Sequence, residues 1–197
     1  DHRDLHLSIR RQRKMCIRDS VYNDGSVRIN HGGTEMGQGL FQKVAQVAAR
    51  IFGIPIKKVQ ITATDTAKVP NTSATAASSG SDLNGMAVKE ACDIICARIS
   101  SYFIEKYRPN TNDVKFEEGR VRGSNFDISF EDAVYEIYTQ RISLSSTGFY
   151  KTPDLQWDRI KGKGRPFYYF AYGAAVSEVV LDTLTGEFKL LLSLIHI

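Results

Sequence analysis

Apolar and polar residues alternate along "VYNDGSVRIN" (Val21–Asn30). Asn-Asp-Gly sits between the two alternating flanks, which predicts a hairpin-type turn feeding a strand. From Leu40 the period changes: Leu40, Phe41, Val44, Val47, Ala48 and Ile51 recur at helical spacing until Gly53 and Pro55 stop the run. Lys57–Thr64 alternates again as a strand, and a long stretch of small and polar residues follows, "DTAKVPNTSATAASSGSDLNG". Out of it a second helix is expected to start at Ser81 or Asp82, either a good N-cap, and to run to Pro109. Its apolar side would carry Leu83, Met86, Ala87, Ala91, Ile94, Ile95, Tyr102 and Phe103. "VKFEEGRVRG" reads as a small hairpin, and "SFEDAVYEIYTQR" as a helix in which Ser129 and Asp132 approximate a capping box. "PFYYFAYGAAVSEVVLDTLTGEFKLLL" reads as strand, Thr-Gly turn, strand. The aromatic run Phe167–Tyr172 alternates with strand geometry and is assigned to core and sheet surface, and Trp157 to a loop anchor. The sum is an α+β fold of mixed sheets with packed helices, in which two helices are each entered through a loop of tiny residues.

Length and composition narrow this further. With 197 residues and 42% hydrophobic content, the chain is one ordinary domain or a slice of a larger one, with a real core. No apolar run approaches the roughly 20 residues that span a bilayer, so no membrane role is expected. The three cysteines, Cys16, Cys92 and Cys96, lack C-x-x-C spacing and fit a reducing, cytoplasmic compartment. Cys92 and Cys96, four apart on the second helix, read as two small buried residues rather than a metal pair.

The two ends change the charge picture. "RKMCIRDS" (Arg13–Ser20) and "LSLIHI" (Leu192–Ile197) match translations of the two strands of a transposase end sequence used in preparing sequencing libraries. Residues 1–20 and 192–197 are therefore expected to be adapter-derived, leaving 21–191 as the natural segment. Residues 1–20 hold six of the 26 basic and three of the 22 acidic residues, so the rest has 20 and 19, a net charge of +1. The apparent basicity disappears, and with it any electrostatic footprint for nucleic acid. His2, His6 and His196 also fall in the ends, which leaves His31 by itself and speaks against a histidine-built metal site.

The candidate chemistry lies in the loops. The first turn of a helix presents unpartnered N–H groups and the positive end of the helix dipole, where anions and polar cofactors dock. Gly32, Gly33, Gly37 and Gly39 remove Cβ atoms that would hold a ligand away, and Gln38 adds an amide that both donates and accepts. Thr72–Gly80 repeats the logic with Ala, Ser, Thr and Gly. Neither loop fits G-x-x-x-x-G-K-[ST] or G-x-G-x-x-G, so phosphate-loop hydrolysis and dinucleotide binding lose support. On the residues themselves the first loop is a ligand cradle or a tight strand-to-helix turn, since glycine serves both. A non-catalytic binding or structural domain built on a glycine-rich turn is thus one standing reading.

Four stretches carry a resemblance. "HGGTEMGQGL", "VPNTSATAASSGSDLNG", "STGFYKTP" and "GRPFYYFAYGAAVSEVVLDTLTGEFK" are similar, in order and spacing, to successive blocks of the molybdenum-binding domain of the molybdenum hydroxylases, above all those of the xanthine dehydrogenase type. The resemblance covers Val21–Leu191. It implies that the glycines make room for molybdopterin, an acidic, phosphate-bearing heterocycle. Met36, Gly37 and Gln38 match one cofactor-contacting segment of the family, with Gln38 near the molybdenum and the Gly37 backbone facing the cofactor. Thr75, Ala76, Ala77 and Ser78 match the second, with Ala77 close to the metal, which the pterin sulfurs hold without protein ligands. Gly80 stands where mammalian members carry Ser, which removes one hydrogen bond there.

The reaction implied by the family is oxidation of hypoxanthine and xanthine to urate. A molybdenum-bound hydroxide attacks an electron-poor carbon, hydride passes to a sulfido ligand, and electrons leave through 2Fe-2S clusters and FAD on partner modules toward NAD. Aldehyde oxidase is the alternative within the family. The family's glutamate base lies beyond Leu191 and its purine-gripping residues upstream of Val21, so no catalytic residue is expected on this chain. Glu35 and Glu178 take structural or surface roles. The chain by itself is expected to be inactive and unstable, with strand edges exposed, while the full assembly is expected to be a homodimer.

Overall fold

The computed structural model describes residues 14–65, 67–68, 72, 75–76, 78–109, 113–170 and 172–196. Chain contacts divide it into two units, Asp1–Thr152 and Pro153–Ile197. In chain order the first unit runs β1 (Lys14–Val21), β2 (Val27–Asn30), α1 (Leu40–Phe52), β3 (Val59–Ile61), α2 (Gly80–Tyr107), β4 (Lys115–Glu117), β5 (Arg120–Arg122), β6 (Asp127–Ser129), α3 (Phe130–Thr139) and β7 (Ser145–Lys151). The second unit holds β8 (Gln156–Asp158), β9 (Lys163–Arg165), β10 (Ala174–Leu181) and β11 (Phe188–His196). The fold is α+β, as the alternation of periods predicts.

A four-stranded sheet in the order β3-β2-β1-β7 organises the first unit. β1 and β2 form the expected hairpin, with Gly25 at φ +76 in its turn. β2 and β3 pair in parallel, which no tight turn can close, so the chain between them crosses over through α1. α1 ends as predicted, at Gly53 in the left-handed region, whose N–H returns to the Ala49 and Arg50 carbonyls. The strand predicted over Lys57–Thr64 is shorter: a 3-10 turn at Ile56–Lys58 takes the residues before Val59.

α2 begins at Gly80, ahead of the predicted Ser81 or Asp82, because the backbone of Ser79 already takes the N-cap place. Its buried line is Asn84, Val88, Ala91, Ile95, Ile99 and Phe103, spaced by three and four, while Met86 is 41% exposed. The helix packs on β1, β7 and α1. Gly148 in β7 makes that approach possible, since a Cβ there would meet the main chain of Ala87 and come within 2.8 Å of Ala91 N. The rings of Phe103, Tyr107 and Phe126 close the far end of the core with centroids 5.0 to 6.0 Å apart. Ser129 caps α3 through Oγ, which accepts from Asp132 N at 3.1 Å, as its sequence predicts.

β1 crosses the boundary expected at residue 20, and residues 14–20 form its length between β2 and β7. Main-chain pairing asks nothing of side chains except that proline be absent, so the strand forms whatever the origin of this segment. Side-chain fit is more exacting. Asp19 is fully buried, its Oδ2 accepts from Cys92 Sγ at 3.6 Å, and its Oδ1 has no hydrogen-bond partner. Burial pushes its carboxyl from 3.8 up to about 8.

The second unit consists of two antiparallel pairs, β8-β9 and β10-β11. Trp157 sits half-buried within β8, a strand residue rather than a loop anchor. The assignment of the aromatic run to core and sheet is overturned: Tyr168, Tyr169, Phe170 and Tyr172 lie outside every strand and are exposed. Alternation makes a strand only where a neighbour supplies hydrogen bonds, and Pro166 lacks the N–H to begin one. β10 and β11 form the predicted pair, with Gly186 at φ +77 in the turn and a bulge between Glu178 and Val179. No helix among the described residues is long and apolar enough to cross a membrane.

Candidate functional site

The chain leaves β2 at Asn30 and must enter α1 at Leu40, and Glu35 decides how it does so. Its carboxylate folds back over the helix mouth: Oε1 accepts from Gly37 N at 2.8 Å and Gly39 N at 3.0 Å, and Oε2 from Phe41 N at 3.0 Å. These N–H donors hold the Glu35 carboxyl below its ordinary range, the bond from Phe41 first among them. The first mouth is therefore not bare, because the chain's own anion fills it. Gly37 at φ +95 and Gly39 at φ +74 let the backbone wind around that carboxylate, and open space lies where either Cβ would project. Gln38 closes the loop on itself, with Oε1 accepting from Met36 N at 2.6 Å and Nε2 donating to Thr34 O at 2.8 Å. One amide hydrogen and one lone pair of Gln38 remain beyond these bonds.

The second loop converges on the first across a wide gap in sequence. Thr34 N donates to Thr75 Oγ1 at 2.8 Å, and Thr64 Oγ1 donates to Gly33 O at 3.0 Å. At the mouth of α2, Ser79 Oγ turns back to Ala76 O at 2.9 Å and leaves the helix without a side-chain cap. Of the two helix mouths, it is the second that keeps donors for a ligand. Met36, Gln38 and Lys43 from the first segment and Thr75, Ala76 and Ser78 from the second line one open cavity of about 390 Å³.

Five of the seven residues expected to contact a cofactor thus share one space. Gly37 adjoins it with its N–H committed to Glu35, and Ala77 lies outside the described residues. Gly80 has room for a side chain such as serine, since its Cβ would find Leu40 Cδ2 and Thr75 Cγ2 no nearer than 3.5 Å.

The lining suits an anionic, polar heterocycle. Lys43 supplies a positive charge, Gln38 a spare donor and acceptor, and Thr75 Oγ1, which accepts from Thr34, keeps its own proton to give. Glu35, the acid of this loop, has its charge spent on three N–H groups. No group of three or more His, Cys, Asp or Glu able to hold a metal occurs among the described residues. Two features escaped the sequence reading. Glu35 as a cap had a local signal, an acid just ahead of a helix start. The buried pair His31 and Asn84, 53 positions apart, had none.

Comparison with known proteins follows the same line. The family model for the molybdopterin cofactor-binding domain matches residues 9–196. Xanthine dehydrogenase of Oryza sativa subsp. japonica is 50% identical over 168 residues, which is 85% of this chain and 11% of that protein. Xanthine dehydrogenase/oxidase of Mus musculus is 48% identical over 169 residues, 86% of this chain and 11% of that protein. Among solved structures, the Cu,Mo-CO dehydrogenase in its carbon monoxide reduced state superposes with a TM-score of 0.73 at 19% identity, over 92% of this chain and 22% of its own. Quinoline 2-oxidoreductase from Pseudomonas putida 86 gives 0.73 at 19% identity, over 90% of this chain and 22% of its own. The last two speak for the fold.

Proposed function

The chain belongs to the molybdopterin cofactor-binding domain family, and from that premise we propose that it is the part of a xanthine dehydrogenase-type molybdenum hydroxylase that lends two loops to the cofactor. The chain spans 11% of the length of its xanthine dehydrogenase relatives. The 2Fe-2S and FAD modules, the purine-gripping residues and the catalytic base belong in this proposal to the remainder of a cytoplasmic, homodimeric parent that passes electrons to NAD. When bound, the cofactor supplies the two-electron chemistry by which hypoxanthine and xanthine are oxidised to urate.

This chain's residues bind and orient. Lys43, the Ser78 hydroxyl and the uncapped start of α2 take the acidic end of the pterin, Gln38 offers its spare amide valences, and Met36 and Ala76 complete the wall. Glu35 holds the first loop in shape, which removes it from acid-base work. Supporting this reading above all is the convergence of Met36 and Gln38 with Thr75, Ala76 and Ser78 on one cavity. The test is made on the intact parent enzyme. Molybdenum and pterin are expected at about one each per protomer, with turnover of xanthine favoured over aromatic aldehydes. A purified parent with neither would remove the cofactor reading. Preference for aldehydes would favour aldehyde oxidase instead.

A further inference from the structure

We infer that His31 and Asn84 are positioning residues, a buried polar strut in which His31 Nε2–H donates to Asn84 Oδ1 and fixes the spacing of the two cofactor loops. The inference rests on the function proposed above. His31 is 1% exposed and Asn84 fully buried. His31 Nδ1 accepts from Gly33 N at 3.0 Å, so its proton sits on Nε2. Asn84 Nδ2 donates to Gly80 O at 2.6 Å, which turns Oδ1 away from the mouth of α2. That leaves one buried donor, His31 Nε2–H, and one buried acceptor, Asn84 Oδ1, and neither has a hydrogen-bond partner in this structure, so each is the complement the other lacks. Polar groups so deep in a core find partners or cost stability.

The geometry around the pair agrees. A Cβ on Gly33 would come within 2.7 Å of Asn84 Nδ2 and 2.6 Å of Leu40 Cδ2, so glycine is required for the first loop to lie against Asn84. The His31 ring is held edge-on to Phe41 at 5.0 Å and 89°. Burial lowers the imidazole to about 4, and the nearby Asn84 side chain acts against that fall. Joined in sequence, Gly33 N–H to His31, His31 to Asn84 and Asn84 to Gly80 O tie the lead-in of α1 to the first turn of α2. Thr34 N to Thr75 Oγ1 is the matching tie on the exposed side.

The test uses the intact parent enzyme and two variants. Glutamine carries an acceptor and a donor on one planar amide and can replace both bonds, whereas leucine fills the space and replaces neither. H31Q is expected to keep its molybdenum within about twofold of wild type, and H31L to lose about tenfold, equivalent to ~1.4 kcal/mol. Hydrogen exchange in residues 31–41 should quicken in H31L and stay slow in H31Q. Equal molybdenum and equal exchange in both variants would overturn the strut, as would loss in H31Q and retention in H31L. A wild-type parent without molybdenum would strike the proposed function, while the exchange comparison would still decide the strut. Should H31L fail to fold, neutron diffraction of the wild-type enzyme after deuterium exchange decides the matter. Deuterium on Nε2 directed at Asn84 Oδ1 is expected, and deuterium on Nδ1 would overturn the inference.

Discussion

Asp19 offers the sharpest test of how this chain is built. A carboxyl whose folded value rises from 3.8 to about 8 binds its proton more tightly in the folded state than in the unfolded one. Its contribution is fully present below pH 3.8 and is lost as pH climbs toward about 8. Between those limits the unfolding free energy falls by about 1.4 kcal/mol per pH unit, which amounts to about 4 kcal/mol at pH 7. That is comparable with the whole stability of many domains, about 5–15 kcal/mol. Replacing Asp19 by Leu removes the penalty and adds apolar contact beside Cys92. Urea unfolding of the 197-residue chain and of Asp19→Leu, from pH 5 to pH 8.5, is the assay. The variant should gain several kcal/mol at neutral pH, and the gap between the two should widen as pH rises. Asp19→Asn should lose the pH slope while remaining less stable than the leucine variant, because its amide stays poorly satisfied. Parallel curves for all three proteins would refute the buried-charge account. The same physics predicts an apolar residue at this position in the uninterrupted parent gene, in keeping with an adapter origin for residues 15–20; an aspartate there would refute that origin.

Three further outcomes follow from the packing. Glu35→Ala should free the amides of Gly37, Gly39 and Phe41 and speed their hydrogen exchange. In the unaltered chain the same cap, present above the ordinary carboxylate range, should be lost as acidification passes through the lowered Glu35 value, and exchange rates that ignore both changes would discard the cap. Gly148→Ala drives a methyl into the main chain of Ala87, and thermal or chemical unfolding should register a loss of about 3 kcal/mol; a loss under about 0.5 kcal/mol would mean that α2 does not rest on β7 as described. The β10-β11 pair exposes Val176, Val179, Leu190 and Leu194, so the chain should associate with rising concentration in light scattering. Leu190→Lys with Leu194→Lys should suppress that association, and no change would place the sticky surface elsewhere.

Local order was legible in the residues because its causes are local. The period of Leu40 to Ile51, the stop at Gly53, the Ser129 cap and the turn at Gly186 each depend on neighbours within a few positions, and all stand as the sequence indicates. The two loops were also legible as a pair, since tiny residues ahead of a helix have few other uses. Their contents were not. Glycines around a helix mouth look the same whether a ligand or a nearby carboxylate fills it, and only the fold showed Glu35 in that place. Gly33 with Asn84, Asp19 with Cys92 and Gly148 with Ala87 join positions 51 to 73 apart. Such contacts are set by how the sheet and α2 close on each other, so sequence determined the pieces and their boundaries, and tertiary packing decided which polar groups meet.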